Sequence, residues 1–428
     1  MELTIVLALS LTVLLLLAVP VAFALVLSTI AAILWTGGIN LMIVPQQVLG
    51  GIDSLLLLSI PFFLLAGDLM TVGGITNRLL DFTNALLGRF RGGLAMSNVA
   101  CAVVMSGISG SAVADTSAIG RVLIPAMVKE GYSPGFSAAL TGAANIVGPI
   151  IPPSIVFVII GVLTNLSITD LFMAGVVPGL LYGAVIMAVA YVISVRRGYP
   201  VHARASGREI WLAFRAAFWA LMMPLLIIAG IRTGVFNVTE CSAVAVIYAL
   251  LVGGLIYREL TWATVGQSLV RTARMTAVIM LIIGGAQAVS WLLAYQNIPQ
   301  QLADLMLATT SNPLLFLLLV NILLLLIGTF LENGPALVML APVLYPIAVK
   351  LGIDPIHFSM IVSLNLVLGL ITPPVAISLS IGALIARVPA SIVTREVIPF
   401  FIAAIGVLML VTYIPQLSLW LPRLLRGS

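Results

Sequence analysis

Two Pro-Pro pairs sit inside long apolar stretches, Pro152-Pro153 in GPIIPPS and Pro373-Pro374 in GLITPPV. Proline has no N–H to return to the preceding turn, and its ring clashes with the carbonyl four residues back. Two in succession leave several carbonyls without helical donors, around Gly148–Pro152 and Gly369–Pro373. An exposed backbone polar group is expensive in hydrocarbon, so such a break at membrane depth is buried in protein or lines a wet cavity. Carbonyl oxygens there suit a hard, weakly charged cation such as Na⁺, and Ser106, Ser109 or Thr372 can add hydroxyl oxygens. Two polar centres accompany the breaks, MSGISGSAVADTSAIG at 105–120 and GTFLENGP at 328–335. Helices that begin near these centres aim N–H groups and a positive dipole end inward, which suits a carboxylate. The small residues of SGISGS let the backbone approach a ligand closely. Asp115 is an acid in an otherwise apolar, Ser-rich stretch, and an intramembrane acid is functional by default. Its structural alternative is bonding to hydroxyls or backbone N–H groups that hold the segment together; a pairing with Arg121 would also be structural. Glu332 and Asn333, at the matching position, carry the same two readings.

The composition says what kind of elements must position these groups. Of 428 residues, 62% are hydrophobic and 8% charged, with a mean hydropathy of +1.24. A soluble globular chain carries about 25% charged residues, so this chain reads as an all-α polytopic membrane protein. The net charge of +5 reflects loop orientation rather than nucleic-acid binding. Cys101 and Cys241 lie in apolar surroundings and make no disulfide or metal framework. The N-terminus, Met-Glu-Leu-Thr, has no basic leader, so its first apolar run reads as a retained span. A span needs about 20 apolar residues, and the clear candidates are 53–72, 170–195, 213–231, 240–257, 275–294 and 397–418. The stretch 3–36 is too long for one upright helix, and two short helices meeting near Pro20 are expected.

An offset of 221 residues pairs Gly107 with Gly328, Pro125 with Pro346, Lys129 with Lys350, Gly131 with Gly352 and Pro134 with Pro355. It continues through Gly148/Gly369, Gly161/Gly382 and Pro178/Pro399. Most of these residues punctuate backbone, so the chain reads as a duplicated unit with a broken helix in each copy, the arrangement that marks a transporter's binding site. Each copy should hold a re-entrant helical hairpin (94–130; 313–350) and a Pro-Pro-broken helix (134–165; 355–386), followed by a full span (170–195; 397–418). Residues 74–93 read as an amphipathic surface helix, with an equivalent arm at 297–313. Basic clusters fall at 78–91, 196–215, 258–274 and 387–395, whereas loops near 36–52, 164–172 and 295–313 have none. The positive-inside rule makes the basic face cytoplasmic. The two arms then lie on opposite faces, which makes the halves inverted repeats.

GISGSAVADT, GPIIPPS and GLITPPV, in that order, resemble the DctM-type large membrane subunit of tripartite ATP-independent periplasmic (TRAP) transporters, and the resemblance covers essentially the whole chain. It implies an elevator-type secondary transporter in which a transport domain slides against a scaffold. The resulting division is 1–93 (first scaffold part and arm), 94–198 (first transport part), 199–312 (basic linker, second scaffold part and arm) and 313–428 (second transport part). It also implies Na⁺-coupled uptake of an organic acid, with Na⁺ as the coupling ion and no organic cofactor. By motif, one Na⁺ site would use Ser106 and Ser109 with carbonyls around Gly148, Ile151 and Pro152. The other would use Gly328, Gly369 and Thr372 with the carbonyl near Val375. Substrate would lie between the hairpin tips, near Ser109, Gly110, Ser111, Asp115, Thr116 and Asn333. The implied partners are a periplasmic substrate-binding protein, a separate small four-helix membrane subunit and membrane lipid, with no nucleic acid. The implied location is the bacterial or archaeal inner (cell) membrane.

Other classes fit less well. Neither Lys129 nor Lys350 sits in a phosphate-binding G-x-x-x-x-G-K-[ST] loop, which disfavours ATP hydrolysis within this chain. An intramembrane enzyme lacks H-E-x-x-H, G-x-S-x-G or paired acids. His202, on a basic loop, and His357, near a helix start, read as bystanders. A channel could share broken helices, and saturable Na⁺-dependent uptake is what separates a transporter from it.

Overall fold

The computed structural model describes residues 2–298, 300–301, 304, 312–331, 333–373 and 376–426. Glu332, Pro374, Val375 and most of the 297–313 arm, all named above, lie outside the described residues. The described residues form helices and connecting turns, with no strand among them. Eight of these helices are long and apolar enough to cross a membrane.

The first apolar run is two helices, α1 (Glu2–Leu16) and α2 (Val21–Thr36). The chain turns at Ala18, whose φ is +59°, and Pro20 caps α2. Next come α3 (Ile43–Ile52), α4 (Ser59–Val72, extended at its start by a short turn from Leu55) and the amphipathic α5 (Ile75–Leu87). On α5, Ile75, Leu79 and Leu80 are buried while Asp81 is exposed, the stripe expected of a surface-lying helix. The first hairpin is α6 (Gly93–Ser109) and α7 (Ala112–Lys129), with Gly110 and Ser111 as its tip. Gly110 takes a φ of +63°, where a side chain would be strained. Ser111 caps α7 by accepting the Ala114 N–H at 3.4 Å.

The first broken helix is α8 (Pro134–Ala144), a single tighter turn at Asn145–Val147, an unwound stretch through Ser154, and α9 (Ile155–Thr164). The long α10 (Ile168–Arg197), α11 (Gly207–Arg232), α12 (Val238–Leu251) and α13 (Trp262–Tyr295) follow. Side-chain caps mark where α11, α12 and α13 begin: Ser206 with Glu209, Asn237 with Glu240, and Thr261 with Thr264, each pair satisfying otherwise orphaned N–H groups. The elements then recur in the same order. The second hairpin is α14 (Pro313–Phe330) and α15 (Asn333–Lys350), and the second broken helix is α16 (Pro355–Gly369) with α17 (Ile377–Ala386). Ala112 and Asn333 start α7 and α15, and Pro134 and Pro355 start α8 and α16, each pair 221 residues apart.

One expected span is misplaced. The helix expected at 397–418 is α18 (Ala390–Tyr413), followed by a separate amphipathic α19 (Gln416–Arg426). Pro415 lies between them, and it cannot supply the N–H that would continue α18. The apolar run crosses that proline without a gap, so hydropathy alone did not reveal the joint.

The helices pack both near to and far from their chain neighbours. α2, α3 and α4 pack on α13, α4 also packs on α12 and α6, and α5 packs on both α11 and α6. The hairpins and broken helices pack on one another across the halves: α17 lies against α7 and α8, and α9 against α15. At the α8–α17 crossing, Cβ atoms at Gly142 and Gly382 would lie 3.0 Å from Leu379 and from the Ala138 carbonyl oxygen. Near the basic rim, Arg197 of α10 grips Glu396 of α18 through both guanidinium nitrogens, at 3.0 and 2.8 Å. Beside it, Phe136 of α8 packs against Phe400 of α18.

Candidate functional site at the paired helix breaks

At the first break Pro152 cannot donate to the Gly148 carbonyl, nor Pro153 to that of Pro149. The Pro149 carbonyl instead accepts the Ser154 hydroxyl at 2.5 Å, and the same hydroxyl oxygen caps α9 by accepting the Phe157 N–H at 3.3 Å. The first hairpin tip seats directly on this break. A Cβ at Gly148 would lie 3.1 Å from the Ala112 nitrogen and from the Ser111 carbonyl carbon, and one at Gly110 would run into the Pro153 carbonyl. Gly107, next to Ser106, faces the Pro152 carbonyl, its Cβ position 3.6 Å away. Ser106 is fully buried and donates to the Val103 carbonyl at 2.5 Å. The hairpin thus meets the break at Gly107 with Pro152, Gly110 with Pro153, and Ser111 and Ala112 with Gly148, while Ile151 lies against Gly179 of α10.

The second break repeats the logic with other residues. Pro373 cannot donate to the Gly369 carbonyl, which accepts the Thr372 N–H at 3.0 Å. The Thr372 hydroxyl donates to the Leu368 carbonyl at 2.9 Å, which leaves its oxygen lone pairs as acceptors. Gly328 of the second hairpin lies against Gly369: a Cβ at Gly328 would sit 3.4 Å from the Gly369 Cα. The chain re-enters α17 through Ala376, whose φ is +45°. This is a conformation that costs a non-glycine residue of order 1–3 kcal/mol and clusters at functional sites.

Some of the buried side-chain oxygens without partners lie at these breaks, and others, as on Asn98 and Ser363, lie elsewhere in the fold. Asn145 Oδ1 (first break) and Asn365 Oδ1 and Ser378 Oγ (second break) have none among the described residues, and neither do Asp115 Oδ2 and Asn333 Oδ1 near the tips. A buried acceptor left empty costs about 1–3 kcal/mol, so these are groups with capacity for a ligand. Asn145 and Asn365 were not foreseen. The available signal was a lone amide in an apolar run just before a glycine, NIVG and NLVLG. Among the described residues no three His, Cys, Asp or Glu side chains gather.

A cavity of about 120 Å³ lies between the two tips. Gly110 and Ser111, Pro149, Asn333 and Leu370 come to its wall from the two hairpins and the two breaks, and α13 closes the opposite side. The structure therefore brings Gly110, Ser111 and Asn333 to one cavity wall, and Ser109 does not line it. It does not bring Asp115 or Thr116 to this wall. Thr116 is buried and donates to the Ala112 carbonyl at 2.7 Å. Asp115, 1% exposed, accepts the Ser109 hydroxyl at 2.5 Å. An Asp115–Arg121 pairing, one of the structural alternatives, is absent among the described residues. Both sit on α7, six residues apart, and at about 100° per residue they face different directions. His357 is likewise engaged, its ring nitrogens 3.2 Å from the Ser418 hydroxyl and from the Thr412 carbonyl, which ties α16 to α18 and α19.

Residues 8–417 match the sequence model of the family described as the tripartite ATP-independent periplasmic transporter, DctM component. The chain belongs to this family. The Vibrio cholerae sialic acid TRAP transporter large permease protein SiaM is 40% identical over 408 residues, covering 95% of this chain and 96% of that protein. The Escherichia coli 2,3-diketo-L-gulonate TRAP transporter large permease protein YiaN is 38% identical, covering 93% and 94%. The fold resembles the crystal structure of the Alcanivorax borkumensis YdaH transporter, with a TM-score of 0.63 at 19% identity over 88% of each chain. This DctM component is thus a multi-pass protein of the bacterial inner membrane and a transport subunit, not an enzyme.

Proposed function

We propose that this DctM component is the large permease of a Na⁺-coupled secondary transporter that takes up a small organic acid presented by a periplasmic binding protein. A small four-helix membrane subunit completes the assembly. The reading rests above all on one observation: each hairpin tip abuts a proline break at a glycine contact, beside buried amide oxygens that lack partners. One cation site is assigned to Ser106, Ser109 and the Gly148, Ile151 and Pro152 carbonyls, with the Asn145 amide oxygen added. The other is assigned to Gly328, Gly369, Thr372 and the Val375 carbonyl, with Asn365 added. The substrate carboxylate sits at Ser109–Ser111 and Asn333, where the α7 N-terminus favours negative charge. Asp115, through Ser109, fixes the shape of that tip, and Thr116 lies behind it.

The basic loops support an inverted arrangement of the two halves. The packing supports a transport block of the two hairpins and two broken helices, sliding as an elevator against a scaffold built from α2–α4 and α11–α13. The cavity of about 120 Å³ between the tips is where the acid is placed, with α13 on its far side. The acids named for the relatives, sialic acid and 2,3-diketo-L-gulonate, set the first panel to test.

The test is reconstitution of the full assembly into liposomes with its binding protein. Uptake of an acid from that panel should saturate, require inward-directed Na⁺ and stop without the binding protein. Uptake indifferent to Na⁺, or ohmic conductance, would overturn the reading.

A further inference from the structure

A second cavity, of about 370 Å³, opens beyond the first, alongside α7 in the direction of Lys129 and the basic rim. Leu64, Ser111 and Met275 border both cavities, so these three side chains are the partition between them. Ser109 and Ser111 stand at the tip end of the second cavity, and Arg121, Asp68 and Arg271 also line it. Ten residues of α7 separate Ser111 from Arg121, about 15 Å along the helix.

The three charges are arranged unequally. Arg271 of α13 forks onto Asp68 of α4, with Nε at 3.2 Å and Nη2 at 2.7 Å, and its Nη2 also reaches the Ser268 hydroxyl at 3.0 Å. That pair is internally neutral. Arg121 of α7 has no ion-pair or hydrogen-bond partner among the described residues. Its guanidinium cannot be discharged at any physiological pH. The remaining walls, from Gly67, Val72, Ala114, Ser117, Ala118 and their neighbours, carry no charge. The cavity thus has one uncompensated positive charge at its solvent-open end, where Arg121 is exposed, and a charge lining a cleft raises the local concentration of the opposite sign.

We propose that Arg121, with the Arg271–Asp68 pair, forms a carboxylate-binding station on the path by which the transported acid leaves the tip site. The proposal rests on the organic-acid transport reading above. A guanidinium fork binds a carboxylate through two parallel N–H bonds, and Arg121 presents an unused fork one cavity beyond the serines of the tip. Asp68 has a complementary role. By occupying Arg271 it keeps the station from holding the anion with two free guanidinium groups, which would slow release. Arg121 belongs to the tip-bearing hairpin, whereas Asp68 and Arg271 belong to α4 and α13. Relative movement of the two groups therefore assembles the station in one state and takes it apart in another.

The experiment reads the field of the cavity directly. In the full-length chain with Cys101 and Cys241 replaced by alanine, Ser117→Cys places a thiol on the cavity wall. Its modification rates by the anionic 2-sulfonatoethyl and the cationic 2-(trimethylammonium)ethyl methanethiosulfonates are compared, each normalised to a free thiol. The anionic reagent should be favoured roughly tenfold, the preference should fall to near parity in Arg121→Gln, and Arg121→Lys should keep most of it. N-acetylneuraminate or succinate at tens of millimolar should slow the labelling when Arg121 is present and not when it is Gln. Parity with Arg121 intact, or a preference unchanged in Arg121→Gln, overturns the proposal. This chemistry needs neither Na⁺ nor the binding protein. Failure of the transport reading shows instead in the liposome assay, as acid uptake that is absent or indifferent to Na⁺ in the unmutated assembly.

Discussion

Gly369→Ala tests the second helix break at its tightest point. The new Cβ would lie 2.6 Å from the Gly328 Cα and closer still to the Gly328 carbonyl, whereas ordinary contact begins at 3.4 Å. The obstacle is backbone, so no rotamer change relieves it, and α14 and α16 must part by roughly 1 Å. Overpacking of this kind costs about 1–3 kcal/mol, against which alanine's better helix propensity returns at most about 1 kcal/mol. The net effect is destabilising by up to about 3 kcal/mol, with the cation donors spread apart. Gly406→Ala on α18 is the control, since a Cβ there meets nothing within 4 Å. Thermal unfolding in detergent should show a lower midpoint for Gly369→Ala and an unchanged or slightly higher one for Gly406→Ala. In liposomes, the Na⁺ concentration for half-maximal uptake should rise about tenfold or more, because displacements near 1 Å are costly at preorganised sites. If Gly369→Ala keeps both its unfolding midpoint and its Na⁺ response, the Gly328–Gly369 contact does not shape a cation site and the reasoning fails.

Thr372→Ala and Ser106→Ala should each weaken Na⁺ dependence of uptake while the protein stays folded; two variants with the wild-type response would remove these hydroxyls from the cation sites. Ser109→Ala strips Asp115 of its hydroxyl partner and should lower stability by about 1–3 kcal/mol, read from the unfolding midpoint with and without substrate. Arg197→Gln breaks the fork to Glu396, but those side chains are 39% and 20% exposed. It should cost less than about 1 kcal/mol and leave uptake near normal.

Most of the frame was legible because proline and glycine act locally. Pro152-Pro153 and Pro373 interrupt the helices where their missing N–H groups require it, and Pro20 divides the first apolar run. Gly110-Ser111 forms the first hairpin tip within the polar centre that marked it. What escaped depends on partners distant in sequence. Nothing local says that Gly328 rests on Gly369, or that α13 closes the inter-tip cavity with Met275, Val278 and Ile279, which read as ordinary span residues. Asp115 was ambiguous for the same reason: an acid among four serines and a threonine has several candidate donors, and only the fold selects Ser109. Asn145 and Asn365 were visible as amides in apolar runs, but their empty Oδ1 atoms become apparent only once their neighbours are in place.

The crossing of α8 with α17 has a consequence for how the molecule is made. Ala138 and Gly142 form the bed for Gly382 and Leu379, residues synthesised some 240 positions later. At about 5–20 residues per second, roughly 10–50 s pass before the ribosome delivers that partner. Throughout this interval the small-residue face of α8 has no second half to cover it. Biogenesis of this chain therefore needs something to shelter that face in a nascent half-protein, and truncations ending before α17 should be cleared by proteolysis rather than accumulate as a stable half.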